Sequence, residues 1–155
     1  MVIREAVPRD VDAMSRVLVA SITELCEADH GDIAANIARW TANKSPDSIR
    51  AWLDEPAVHL FVAERDGEVV CVGAFSDQGE IVLNYVAPKA RFAGVSKAML
   101  AHLEGCMGAR GIEDGRLTST ATAHAFYVGA GWRNTGEPQK RFGVEVYPMS
   151  KALHA

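Results

Sequence analysis

Apolar and polar residues alternate from Val2 to Ala6, which predicts a short strand, and beyond it the period changes. After Pro8-Arg9-Asp10, apolar residues recur at Val11, Met14, Val17, Leu18, Ile22 and Leu25, the spacing of an amphipathic helix. Residues 33–53 also read as helical, with Ile37, Trp40, Ile49, Trp52 and Leu53 facing inward and Ser45-Pro46-Asp47 dividing the stretch into a pair. From Val58 the period becomes two. Val58, Leu60 and Val62 share one side, Arg65-Asp66-Gly67-Glu68 supplies a turn, and Val69 to Phe75 returns as the second arm of a hairpin. A further turn at Ser76-Asp77-Gln78-Gly79 leads to a third strand, Glu80 to Val86, closed by Pro88, which cannot donate to a sheet ladder.

A helix is predicted from Gly94 to about Arg110, with Val95, Met99, Leu100, Leu103 and Met107 on one face and Gly111 as its stop. Arg116 to Thr118 reads as a strand and Ala121 to Ala130 as a short helix. Gly131-Trp132 opens a last pair of strands ending near Lys151. The order β-α-α-β-β-β-α-β-α-β-β predicts an α/β fold on a mixed sheet.

Composition narrows the function. The 155 residues, 48% hydrophobic and 23% charged, suit one domain with a full core. Sixteen basic against twenty acidic side chains leave a formal charge of -4, with no surplus to neutralise a nucleic-acid backbone. The start Met1-Val2-Ile3-Arg4-Glu5 lacks the pattern of a secretion signal, and no apolar run approaches the ~20 residues of a membrane span, so cytoplasm is the default expectation. Cys26, Cys71 and Cys106 are odd in number and widely spaced, which predicts free thiols in or beside the core. No His/Cys/Asp/Glu cluster has metal-ligand spacing, so no metal is expected. His59 and His124 read as structural or solvent-facing, and Trp40 and Trp52 as core residues, either of which could also box a ligand.

The segment from Glu80 to Leu100 carries the chemistry. A strand runs through a short loop into a helix, and the unpaired amides of a helix start attract an anion. Gly94 lets the backbone approach closely, Ser96 is small and Arg91 adds charge, so a phosphate or pyrophosphate is the economical ligand. Gly-x-Gly-x-x-Gly and Gly-x-x-x-x-Gly-Lys-Ser/Thr are both absent, which disfavours a nucleotide-binding domain.

The pattern Val86-x-Pro88-x-x-Arg91-x-x-Gly94-Val95-Ser96-x-x-Met99-Leu100 resembles the acyl-CoA signature of the GNAT superfamily of N-acyltransferases. Ser119-Thr120-x-Thr122-Ala123-x-x-Phe126-Tyr127-x-x-x-Gly131-Trp132 is similar to the segment that family places beside the CoA thiol. The resemblance implies a mixed, mostly antiparallel central sheet with helices on both faces, and acetyl-CoA as co-substrate. It assigns the cofactor site to Tyr85, Val86, Arg91, Phe92, Ala93, Gly94, Val95, Ser96, Thr120, Ala123 and Tyr127. Ala93 stands where many members carry Arg or Lys, and Ser96 where they carry Gly or Ala.

The same resemblance gives Tyr127 the role of general acid toward the leaving thiolate, with Phe126 packing in the core. It gives the Val86 amide the task of polarising the thioester carbonyl. Glu80 is the candidate base, directly or through water, its alternative being a solvated turn residue. Even spacing along the strand places Glu80 on the face of Asn84 and Val86. Asn84, polar in an apolar strand, either positions substrate or water or satisfies a neighbouring strand. The acceptor is an amine whose identity the sequence leaves open among amino acids, polyamines, aminoglycosides and protein N-termini. A homodimer is left open, as is a catalytically silent acyl-CoA-binding module of the same fold.

Overall fold

The computed structural model describes residues 1–141 and 143–153. Strand β1 (Val2–Glu5) and a 3-10 turn (Pro8–Asp10) lead into α1 (Val11–Leu25), followed by the short α2 (Glu27–His30), α3 (Ala34–Thr41) and α4 (Pro46–Leu53). Strands β2 (Val58–Arg65), β3 (Glu68–Ser76) and β4 (Glu80–Val86) come next, then α5 (Val95–Ala109), β5 (Asp114–Thr120) and α6 (Ala121–Gly129). The last strands are β6 (Arg133–Asn134), β7 (Gln139–Arg141) and β8 (Val144–Ala152). The expected order holds once the predicted pair over residues 33–53, counted there as one helix, is resolved as α3 and α4; α2 and one short strand are then added. The four-residue α2 is too brief to show a period, and β6 and β7 are exposed throughout, so neither carries an apolar pattern.

The sheet runs β1-β2-β3-β4-β5-β8-β6, with β7 also on β8. Every pairing is antiparallel except β4 with β5, which is parallel. The β2–β3 hairpin turns through Asp66 and Gly67, both at positive φ, as a tight turn of the right twist requires. The sheet is covered on both faces. On one, α5 buries Val95, Met99, Leu100, Leu103 and Met107 with Phe61, Phe75 and Ile81, the helical face read from the sequence. It sits so close to β3 that a Cβ on Gly73 would lie 2.6 Å from the Met99 sulfur. On the other face, α1 and α4 pack Val11, Met14, Val17, Leu18 and Ile49 against Leu60, Val62, Val72 and Leu83. A third cluster joins Ile22, Cys26 and Trp40 to Val144 and Val146 of β8. Cys26 and Cys71 are buried, Cys106 is half-buried, and all three are free. Among the described residues no helix is long and apolar enough to cross a membrane.

Candidate active site

Strands β4 and β5 pair over only two rungs, Glu80–Arg116 and Ile81–Leu117, and then part. Beyond Ile81 the β5 edge of β4 therefore has no strand partner. Ala87 donates its N–H to Val70 of β3 at 2.8 Å, so alternation along the strand turns the Val86 and Asn84 backbone groups away from β3, toward the gap. The gap is a cleft lined by Ile81 to Tyr85, Leu117 to Thr120, Ala123 and Tyr127.

At one end of β4 the loop Ala87–Gly94 delivers the start of α5. Gly94 adopts φ 76°, and no side chain caps the helix. A Cβ on Gly94 would meet nothing within 4 Å, so the glycine answers to its backbone angle and to open space in front of it, not to crowding by the protein. Phe92 also holds a left-handed φ of 65° with its side chain 90% exposed, a costly conformation for a bulky residue. Arg91 lies over the Phe92 ring at 4.4 Å, and both it and Ala93 are exposed. Val95 is buried and anchors the helix start, while Ser96 accepts a hydrogen bond from Asn84 through its carbonyl. Free first-turn amides, open space and one cation match the chemistry of a pyrophosphate.

On the same face as α5, Tyr127 of α6 reaches the cleft. Thr120 caps α6 by accepting from the Ala123 N–H at 3.2 Å, and Asp29 of α2 accepts from the Ala121 and Thr122 amides at the same helix start. Tyr127 is only 7% exposed. Its ring packs in the α5 core against Phe126 and Trp132, and Phe126 is the less buried neighbour, the reverse of the division expected from sequence. Burial pushes the Tyr127 hydroxyl up to about 12, and the nearby polar side chain of Asn84 acts in the opposite direction.

The opposite opening of the gap is a cavity of about 290 Å³ lined by Trp40, Lys44, Glu80, Tyr85, Thr118, Thr120, Arg141, Val144 and Val146, among others. Ile81, Val82, Tyr85, Thr118 and Thr120 line both this cavity and the cleft, so the two spaces meet between the parted strands. Trp40 donates its indole N–H to the Tyr85 hydroxyl at 3.3 Å. Burial raises the Tyr85 pKa, and the Trp40 hydrogen bond partly offsets that rise.

The structure corrects the expected face of Glu80. The register of β4 on β3 slips between Ala74–Leu83 and Phe75–Ile81, leaving Val82 as an inserted residue. The bulge reverses the alternation, so Glu80 lines the cavity with Tyr85, whereas Asn84 contacts the Cys71 thiol and the Ser96 carbonyl on the α5 side. Asn84 thus stands beside Tyr127 and away from the cavity that holds Glu80. His59 and His124 pair with Asp77 at 2.6 Å and Asn134 at 2.8 Å, outside both spaces.

Three residues were not legible as site residues. Lys44 is buried by the packing of the α3–α4 connection on α1, where the Ser15 hydroxyl donates to its carbonyl at 2.7 Å. Asp29 caps a helix 92 residues away. His30 is fully buried, with Nε2 at 2.9 Å from the Ile22 carbonyl and Nδ1 accepting from the Asp32 N–H, and it pins α2 to the end of α1.

A family model described as "Acetyltransferase (GNAT) domain" matches residues 15–153. No curated protein sequence matches the chain significantly. Among solved structures, the GCN5-related N-acetyltransferase from Rhodopseudomonas palustris superposes with a TM-score of 0.88 at 22% identity, covering 98% of this chain and 95% of that one. The PaiA N-acetyltransferase from Thermoplasma acidophilum, solved with coenzyme A, gives 0.78 at 19%, covering 97% and 98%. A ribosomal-protein-alanine N-acetyltransferase from Brucella melitensis gives 0.74 at 23%, covering 99% and 100%. With the parted strands, the open helix start and the family match in agreement, this chain belongs to the GNAT acetyltransferase family.

Proposed function

We propose that this protein transfers an acetyl group from acetyl-CoA to a primary amine. The observation that carries the reading is the gap between β4 and β5, which an anion-binding helix start adjoins on the α5 side and a cavity holding Glu80 adjoins on the other. Arg91 and the amides from Phe92 to Ser96 would hold the pyrophosphate. The unpaired edge of β4 at Tyr85 and Val86, with Thr120 and Ala123 across the cleft, would take the pantetheine.

Acetyl-CoA supplies an activated thioester, and the protein supplies position and proton management. The Val86 N–H, turned into the gap, can donate to the carbonyl oxygen as it gains charge. Glu80 faces the side from which an amine would arrive and takes its proton directly or through water. Tyr127 enters the reaction protonated because burial holds its pKa near 12. It lines the cleft and donates a proton to the departing thiolate as the C–S bond breaks, recovering it afterwards from solvent. Asn84 lines the same cleft, but its hydrogen bonds run to the Cys71 thiol and the Ser96 carbonyl, so its role is to tie β4 to the start of α5. The free thiols fit a reducing compartment such as the cytoplasm.

Calorimetric titration with CoA and a thiol-release assay over a panel of amines test the reading. Binding with turnover of at least one amine supports it. Binding without turnover across amino acids, polyamines and peptides would leave an acyl-CoA-binding module instead.

A further inference from the structure

We propose that the acceptor is a small amino acid with an apolar side chain, its carboxylate held by Lys44 while its amine faces Glu80. This rests on the acyl-transfer reading above and deepens it. Lys44 is only 6% exposed, although lysine stems ordinarily run along apolar surface and release the ammonium to water. Its Nζ donates to the neutral Asn43 Oδ1 at 2.5 Å and lies 5.8 Å from the Trp52 ring centroid. Among the described residues no carboxylate stands within ion-pair distance of it. A buried cation without a counter-charge is costly, and a ligand anion would supply what the protein withholds. Burial draws the ammonium down to about 8, which leaves it mostly charged at neutral pH.

Position turns that charge into a statement about the acceptor. Lys44 lines the 290 Å³ cavity that holds Glu80, and also an adjoining cavity of about 270 Å³ lined by Trp52, Val58, Val82 and Leu83. Arg141 adds a second cation to the first cavity, again without an acidic partner among the described residues. A polyamine or aminoglycoside would meet two like charges there. A zwitterion meets complementary ones, with Glu80 toward its amine, Lys44 toward its carboxylate, and the Trp52–Val58–Leu83 wall toward an apolar side chain.

The test uses the full chain with acetyl-CoA and compares leucine, leucinamide, 3-methylbutylamine and spermidine by thiol release. Leucinamide is the weaker base and carries more free amine at neutral pH, so a preference for leucine over it reports the carboxylate. We expect kcat/KM for leucine to exceed that for each of the other three by about 30-fold, the value of a charge-assisted hydrogen bond. Lys44→Met should erase most of that advantage through KM, with CoA affinity unchanged. Equal or better use of 3-methylbutylamine or spermidine by the unmodified protein would overturn the inference and leave acyl transfer standing. So would a Lys44→Met protein that keeps the preference. Calorimetry with leucine alone separates the two readings. Leucine binding abolished by Lys44→Met, in a protein that neither binds CoA nor turns it over, would support the Lys44 site and refute acyl transfer.

Discussion

Ile81 and Leu83 stand two positions apart on β4, yet Ile81 packs with Phe75 under α5 and Leu83 packs with Leu60 under α1. A regular strand would put them on one face. The inserted Val82 between them lets one strand offer Glu80 and Tyr85 to the cavity beside Trp40 and Lys44, and Asn84 to the cleft beside Tyr127.

Tyr127→Phe removes the hydroxyl and keeps the ring that packs against Trp132. Turnover should fall by about 10²–10³-fold, with CoA affinity unchanged by calorimetry and the melting temperature nearly unchanged. Full activity would assign Tyr127 to the core alone.

Glu80→Gln conserves shape in the cavity beside Lys44 and removes the carboxylate proposed as the proton acceptor. We expect kcat at neutral pH to drop by about 10²-fold while the dissociation constant for CoA stays the same. Unchanged turnover would move the base to water.

Two substitutions at Gly94 separate backbone strain from ligand contact. With φ 76° and open space beyond, Gly94→Ala should cost about 1–2 kcal/mol in a melt and weaken CoA only slightly. Gly94→Glu should carry a similar stability cost and abolish detectable CoA binding, since it places a carboxylate where the anion belongs. Equal affinity in both variants would place the pyrophosphate elsewhere.

Burying Lys44 makes stability depend on pH in a stated direction. Its pKa falls from 10.5 to about 8, so between those values the unfolded chain holds a proton that the folded chain has released, and stability rises with pH across that window. Lys44→Met should flatten the rise and stabilise the protein at pH 7 by up to about 3 kcal/mol, as measured by denaturant unfolding at several pH values. A destabilised Met variant would mean that the ammonium has partners in solution that compensate its burial.

Much of this fold could be read from periodicity alone. Five residues of α5 from Val95 to Met107 point inward as their spacing requires, and Gly111, at φ 81°, ends the helix. Pro88 follows β4 for the reason a sequence reader would give. The open start of α5 was legible because Gly94 answers to a local backbone constraint. Val82 was not, because a bulge exists only relative to the partner strand, and period-two reasoning therefore put Glu80 on the wrong face. Nor was Lys44, whose burial depends on Ser15 and on the packing of helices that carry little regular signal.

The two-rung joint between β4 and β5 makes the sheet mechanically uneven. Seven rungs hold β5 to β8 and eight hold β2 to β3, so the thin seam between these blocks is where the sheet most readily yields. Amides of Val86 and Asn84 on the open edge should exchange with deuterium far faster than their neighbours on the β3 side, and a molecule that bridges the seam should slow them. Such a molecule would act as a missing strand. Occupancy would then stiffen both halves of the sheet at once, and the melting temperature would report it even in the absence of turnover.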